Sequence, residues 1–400
     1  MSFTLKPMVA ALFEPAALTA VPRTIVAIPA RDEAAVIAAT LRALGRQRTL
    51  SGEPQPVELL LLVNNTTDAT ATLARTEAAR LPHLRLAVRE KHWSAQRSGV
   101  AYARRAVMDW AAEVAGAGGI VVSADADTRP APDWLHELTA PLRAGIAPAS
   151  GGRILLEPGE LAGLPSAVRR THLLDSGYRW WSGQLSATLN PQPHDPWPHH
   201  WQHFGASLAL TVPAYRAVGG VPLVDHLEDV ALVQALQQRD LSVRHTVRAR
   251  SYTSARRSGR VPVGLSTQLE EWSAGPEAWH VPGAAEVMAL ACAEAALRVA
   301  WSGEPYGLTK LAQQWQISPD DLAAALRCPH FGKALEQAHA ARLAGGWSQR
   351  FRPVPVQQAL QQIRLELALL RAGGADRQTR PSAVLPSRSV QAVRSSRSNR

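Results

Sequence analysis

Short apolar runs alternate with helical patterns over the first 250 residues. Thr24–Ala30 (TIVAIPA) and 57–63 (VELLLLV) are continuous apolar runs of strand length. Between them Ile37, Leu41 and Leu44 recur at helical spacing. The Ala/Thr-rich segment 68–79 predicts a helix, 84–88 a third strand, 95–115 a long alanine-rich helix and 119–124 (GIVVSA) a fourth strand. The texture changes at 183–203, where Pro191, Pro193, Pro196 and Pro198 interleave with Trp197, Trp201, His194, His199, His200 and His203. That composition predicts a long irregular loop, the kind that serves as a lid or binding loop. A strand over 205–212, a helix over 228–238 and a strand over 242–247 follow. Beyond about 261 the pattern is helical: 283–301, 308–316, 319–326, 331–343 and 356–370.

Strands separated by helices of this length imply an α/β fold, a mostly parallel sheet with helices on both faces. Three regions result. Residues 22–260 form the α/β domain, 261–372 a C-terminal helical region, and 373–400, rich in Ser, Arg and Pro, a disordered tail. Ligands of such sheets bind at the carboxyl ends of the strands. The residues just past the predicted strands are polar: Arg31-Asp32-Glu33, then 64–68 (NNTTD), then 125–128 (DADT). Three polar turns on one edge define a candidate site.

Composition narrows the function. The chain of 400 residues has two cysteines, Cys292 and Cys328, too few for a disulfide framework and without metal-ligand spacing, which fits a reducing compartment. No apolar run reaches the ~20 residues needed to cross a bilayer, and no signal peptide stands out, so a cytoplasmic protein is expected. The net charge is +10, but six arginines fall in 377–400 without an acidic residue. The folded part is only mildly basic. The tail would attract anionic surfaces, giving peripheral contact at the inner membrane face.

Asp125 and Asp127 follow an apolar strand directly. Alternation along an extended chain lets both carboxylates face one side, a pair suited to a hard divalent cation shared with substrate phosphates. Taken alone they also read as a solvated acidic turn; their place at the end of a strand favours the metal. Glu228 and Asp229 open a helix, where acidic residues complement the dipole. The segment 254–260 (SARRSGR) is Gly/Ser-rich and basic, so Arg256 and Arg257, with Arg260, are candidates for phosphate. His199, His200 and His203 lack a companion ligand set; stacking on a sugar or lid packing suits that loop better than metal.

Together these pieces resemble glycosyltransferase family 2, inverting nucleotide-sugar transferases of GT-A fold, with a Rossmann-like nucleotide-binding sheet. The resemblance covers about 22–260. It is carried by 26–33 (VAIPARDE), 63–68 (VNNTTD), the Ala/Arg-rich 95–106, 123–128 (SADADT), 205–210 (GASLAL) with 215–220 (YRAVGG), and 228–232 (EDVAL). The resemblance implies roles residue by residue. Pro29, Ala30, Arg31 and Glu33 line the nucleotide pocket, with Asn64 where the family often has a base-reading aspartate. Asp125 approaches the ribose or the metal, Mg²⁺ or Mn²⁺. Asp127 binds the metal that bridges the diphosphate, and Asp229, with Glu228 beside it, is the general base at the acceptor hydroxyl. His245 stands as a third metal ligand of the late-histidine kind or as an ordinary strand histidine.

The sequence departs from the family pattern at two positions. Asn64 replaces an aspartate, and an amide both donates and accepts, which weakens any assignment of uridine. Arg31 stands where an aromatic is common, and a guanidinium stacks on a base or pairs with phosphate. The Gln-x-x-Arg-Trp motif of processive synthases is missing, so transfer of one sugar to an acceptor is expected rather than polymerisation. Two competing readings remain. Residues 308–326 scan as a helix-turn-helix which, with the basic tail, suggests a nucleic-acid-binding module. Asp320 and Asp321 on its second helix argue against that reading. A nucleotidyltransferase would need a Gly-rich loop after the first strand, and Ala30-Arg31-Asp32 has no glycine.

Overall fold

The computed structural model describes residues 22–97, 99–256 and 264–378, the last six by their backbone. Its N-terminal half alternates strand and helix: β1 (Thr24–Ala30), α1 (Ile37–Leu44), β2 (Val57–Asn64), α2 (Thr70–Ala78), β3 (Leu84–Lys91), α3 (Val100–Ala115) and β4 (Ile120–Ser123). Then come β5 (Arg129–Pro130), α4 (Trp134–Arg143), β6 (Ala149–Leu156), α5 (Pro158–Gly163) and α6 (Ser166–Leu189). The domain closes with β7 (Leu208–Thr211), α7 (Val212–Ala217), α8 (Glu228–Gln237) and β8 (Val243–Thr253).

Eight strands form one mixed sheet in the order β3-β2-β1-β4-β7-β6-β8-β5. β3, β2, β1 and β4 run parallel, β7 is antiparallel to both its neighbours, and β6 pairs parallel with β8. Alternation along the strands divides the core. Val26, Ile28, Leu59, Leu61 and Val122 face α1, α2 and α4. Ile25, Ala27, Leu60, Leu62 and Val121 face α3, α7 and α8. The runs read as continuously apolar because both faces are covered.

The C-terminal region comprises α9 (Leu265–Glu271), β9 (His280–Val281), α10 (Ala284–Trp301), α11 (Leu308–Trp315), α12 (Pro319–Leu326), α13 (Phe331–Ala344), α14 (Trp347–Arg350), β10 (Val354–Pro355) and α15 (Val356–Gln378). None of the described helices is long and apolar enough to cross a membrane. α11 and α12 do form a helix-turn-helix pair, with Gln316 left-handed at the turn and Ser318 Oγ accepting from the Asp321 N–H at 3.0 Å. Leu311, Trp315 and Leu322 of that pair are buried against α10 and α13.

Three expectations need correction. The irregular loop does not begin at 183. α6 runs on to Leu189, because Tyr178 and Leu185 pack against Val356, Ala359 and Ile363 of α15. Tertiary burial overrides the polar local sequence, and the loop proper spans 190–204. The long helix of 95–115 is broken: a 3₁₀ turn at Ala95–Arg97 precedes α3, whose N-cap Gly99 is extended. The tail expected from 373 starts inside α15, which continues to Gln378; residues 379–400 lie outside the described residues. The sequence reading was also silent on 134–182, which holds α4, β6 and most of α6.

Besides the packing of α6 on α15, Asp240 helps to fasten the helical region to the α/β domain. Asp240, left-handed at φ 57°, follows α8. Its carboxylate accepts from the Phe331 N–H at 3.1 Å and the Gly332 N–H at 2.8 Å. It thus caps α13 from another part of the chain. A Cβ on Gly332 would fall 1.7 Å from the Gln237 carbonyl oxygen, so only glycine permits this approach.

Candidate active site

The polar turns predicted at the sheet's carboxyl edge are laced together. The Asp32 N–H donates to Thr66 Oγ1 at 3.2 Å, and Asp32 Oδ1 accepts from the Thr67 N–H at 2.8 Å. The Glu33 N–H donates to Thr70 Oγ1 at 2.8 Å, and the Ala34 N–H to Asp68 Oδ2 at 3.0 Å. Asp32 and Asn65 both take positive φ, 50° and 47°. Asx residues tolerate that conformation through local hydrogen bonds. Asn65 Nδ2 donates to the Trp93 carbonyl at 2.7 Å, which extends the lacing to the segment after β3.

Beside these turns lies a cleft of ≈ 430 Å³. Pro29, Ala30, Arg31, Glu33, Asn64, Asp125, Asp127 and Arg256 all line it. Five nucleotide-pocket candidates, both acidic positions of 125–127 and Arg256 of the three phosphate candidates therefore meet in one place. Arg257 lies outside the described residues. Glu228 and Asp229 are not in the lining, but Glu228 is joined to it through Arg104, which is.

Arg104 is the centre of the arrangement, and it is buried. Its Nη2 donates to Asp125 Oδ1 at 2.7 Å, its Nε to Glu228 Oε1 at 2.8 Å and its Nη1 to Ser123 Oγ at 2.7 Å. A Cβ on Gly205 would come within 2.4 Å of the guanidinium carbon, so that glycine makes room for it. Burial opposes the charge, but Asp125, Glu228 and Asp229 outweigh it and hold the guanidinium pKa above its ordinary value. Glu228 is spent on this buried pair. Asp229, half-buried, accepts instead from the Gly205 N–H at 2.6 Å and the Val230 N–H at 2.8 Å. The turn into α8 is tight: Leu227, its N-cap, sits at φ 57°.

Asp127 faces Arg256, whose Nη2 donates to Asp127 Oδ2 at 2.8 Å and lies 3.8 Å from Glu33 Oε1. Among the described residues no group of three or more His, Cys, Asp or Glu could hold a metal ion. Asp125 and Asp127 offer two hard oxygen donors on the cleft wall. That donor set fits Mg²⁺ or Mn²⁺ only where substrate phosphate completes the coordination, the usual arrangement for such ions.

The histidines of the second half form a separate network around Asp195. Its carboxylate receives Arg244 Nη1 at 2.8 Å, the His245 N–H at 2.9 Å and His245 Nδ1 at 2.8 Å. His245 Nε2 in turn faces His203 Nδ1 at 3.4 Å. His200 lies with Nε2 3.1 Å from the Thr246 carbonyl and Nδ1 accepting the Gln202 N–H at 3.0 Å, which fixes the neutral tautomer. Burial, reinforced by the charge of His245, pushes the His200 pKa down to about 3 and that of His203 down to about 4. Burial raises Asp195, but the hydrogen bond and charge of His245 more than offset it and leave this carboxyl below its usual range. His245 is thus partnered by Asp195 and His203.

Sequence reasoning missed Arg104 and Asp195. The signal for Arg104 was its register: Val100, Ala103, Val107, Met108 and Ala111 mark the apolar stripe of α3, and Arg104 falls on it. A charge on a buried stripe needs partners. Asp195 had no periodic context to mark it.

The cleft thus opens at the carboxyl edge of the parallel strands, with Asp125 and Asp127 in its wall. Residues 25–192 match the model of glycosyl transferase family 2. No curated protein matches. Among solved structures, the chain is similar to a mannosyltransferase from Pyrobaculum calidifontis in complex with GDP-Man and Mn²⁺. The identity is 18%, over 91% of this chain and 82% of that one, with a TM-score of 0.40. It is similar to residues 1–349 of TarS from S. aureus in complex with UDP, at 12% identity over 82% and 91% and a TM-score of 0.40. It is also similar to glucosyl-3-phosphoglycerate synthase from Mycobacterium tuberculosis with Mn²⁺, UDP-glucose and phosphoglyceric acid, at 15% identity over 72% and 81% and a TM-score of 0.37.

Proposed function

We propose that the protein transfers one sugar from a nucleotide-sugar donor to an acceptor hydroxyl with inversion at the anomeric carbon. The observation that carries this reading is the connection of the cleft to α8: Arg104 grips Asp125 on the cleft wall and Glu228 beside Asp229. In this reading Pro29, Ala30, Arg31, Glu33 and Asn64 hold the nucleoside. Asp127, with Asp125 beside it, would hold a divalent cation, which when bound neutralises charge on the diphosphate as a Lewis acid.

Arg256 serves the same end. It lies over Asp127 and is exposed enough to turn onto a diphosphate, forming charge-assisted hydrogen bonds with the leaving group. Asp229 accepts the acceptor's proton as the new bond forms. A carboxylate offers about four lone-pair sites, and its two backbone N–H contacts leave room for a hydroxyl. Those contacts fix its orientation before the acceptor arrives. Glu228 holds Arg104 and through it the position of α8.

The test is Asp229→Asn. Transfer from the donor should fall ~10²–10⁴-fold, the usual contribution of a positioned base. Binding of nucleoside diphosphate with Mn²⁺, read by calorimetry, should stay as in the parent. Undiminished transfer would remove Asp229 from the mechanism. A chain that binds no nucleoside diphosphate under any metal condition would overturn the donor assignment itself.

A further inference from the structure

The start of α6 carries a second concave feature, a groove of ≈ 480 Å³ lined by Ser166, Arg169, Arg170, Leu173 and Leu174. Leu174 forms its inner wall and packs into the cluster that contains Leu367 and Leu370 of α15. Leu173 points outward, and so do Leu365 and Leu369 of α15, each more than half exposed.

Helical geometry explains both faces. At 100° per residue, Ser166, Arg169, Arg170 and Leu173 fall on one side of α6, opposite the buried Val168, Thr171 and Asp175. On α15, Leu365, Ala368 and Leu369 fall opposite the buried Ile363 and Leu367, with the exposed Arg364 and Arg371 on the flank. Exposed leucines set among Arg169, Arg170 and Arg364 mark this surface, with Glu366 bordering it on α15. Scattered single leucines would need no explanation, but paired leucines on two packed helices, fringed by cations, do.

We propose that this α6–α15 face docks on an anionic lipid surface. The leucines enter the headgroup boundary, and Arg169, Arg170, Arg364 and Arg371 pair with lipid phosphates while their stems lie along the apolar layer. Charge selects this occupant over an apolar protein partner. The sequence continues the same charge: the 22 residues after Gln378 contain five arginines and no carboxylate, and they leave from the end of α15 itself. Two signals are what stable peripheral binding requires, since one weak anchor gives only marginal association.

Cosedimentation of the full chain with phosphatidylglycerol/phosphatidylcholine vesicles tests the proposal, with pure phosphatidylcholine as the reference. Binding should be strong only on the anionic vesicles and fall as salt rises. Arg170→Ser with Arg364→Ser should lower partitioning at least about tenfold, given roughly fivefold for each arginine near such a surface. Leu173→Ser with Leu369→Ser should lower it comparably without changing the salt dependence. These positions are exposed, so both pairs should melt as the parent does and bind nucleoside diphosphate equally well. A chain ending at Gln378 should keep salt-sensitive binding that the same substitutions abolish. Absence of binding by the parent, equal binding by the variants, or complete loss on tail removal would each overturn the proposal. So would a dimer in light scattering that the leucine substitutions dissolve, since a second copy would then cover the face.

Discussion

Arg104 Nε and Glu228 Oε1 are 2.8 Å apart, both side chains about 5% exposed, and they join helices separated by 124 residues of sequence. A buried pair of this kind is no large source of net stability, because desolvation of both charges offsets their attraction. Its effect is on arrangement. Arg104 also holds Asp125, so the cleft wall and the first turn of α8 share one guanidinium and keep a fixed spacing.

Breaking that pair from one side should be costly. Arg104→Met would leave Glu228 buried without a counter-charge, and a loss of about 3–5 kcal/mol is expected. Glu228→Gln should be milder, since an amide oxygen still accepts from Arg104. Urea unfolding of both variants checks the order. A Glu228→Gln chain that is as stable as the parent yet wholly inactive in transfer would assign Glu228 a role in the chemistry.

Asp127 and Arg256 separate by their metal dependence. Asp127→Asn should weaken nucleoside diphosphate binding in the presence of Mn²⁺ and leave little difference between Mn²⁺ and chelator. Arg256→Gln frees Asp127 from its guanidinium, so metal should still enhance binding while total affinity drops by about 1.5–3 kcal/mol, the range for a charged hydrogen bond. Titration calorimetry with and without metal distinguishes them. Equal metal enhancement in Asp127→Asn and the parent would remove Asp127 as a ligand.

Acid should weaken the fold before carboxylates begin to protonate. In the unfolded chain histidine takes up a proton near pH 6.5, whereas folded His200 resists until about 3 and His203 until about 4. The unfolded state therefore binds more protons throughout that window, and stability falls as pH falls from about 6.5 toward 4. The slope approaches ~1.4 kcal/mol per pH unit for each histidine once both are titrating in the unfolded state. Unfolding free energies at about pH 7 and about pH 5 measure it, and His200→Gln should flatten the dependence. An unchanged slope in that variant would contradict the assignment.

Gly332 and Asp240 make a second stability test. Gly332→Ala places a methyl against the Gln237 carbonyl and must push α13 away from α8. Asp240→Ala removes a helix cap, worth typically ~1 kcal/mol. The glycine change should lower the melting temperature more than the aspartate change. The reverse order would show that the approach of the two helices is slack.

The cleft was legible because its residues follow apolar runs directly. Pro29 to Glu33, Asn64, and Asp125 with Asp127 are read off the ends of β1, β2 and β4, where a parallel sheet must open its site. What was not legible depends on distant packing. The residues of α6 beyond Gly183 are helical because α15, nearly two hundred residues later, covers Leu185. Asp195 reads as one polar residue in a proline-rich stretch until His245 and Arg244 arrive from β8. Arg104 was visible as part of an Ala/Arg-rich helix, but its partners come from three separate segments.

The apolar side of α6 is closed by α9, α10, α15 and the short β9–β10 pair, and Asp240 reaches forward to cap α13. The α/β domain of this chain is therefore not a detachable cassette. A protease cut or gene break near 260 would lay open Tyr178, Leu185 and the Asp240 carboxylate together, yielding an insoluble fragment rather than a smaller working enzyme. The two parts must be made, folded and inherited as one.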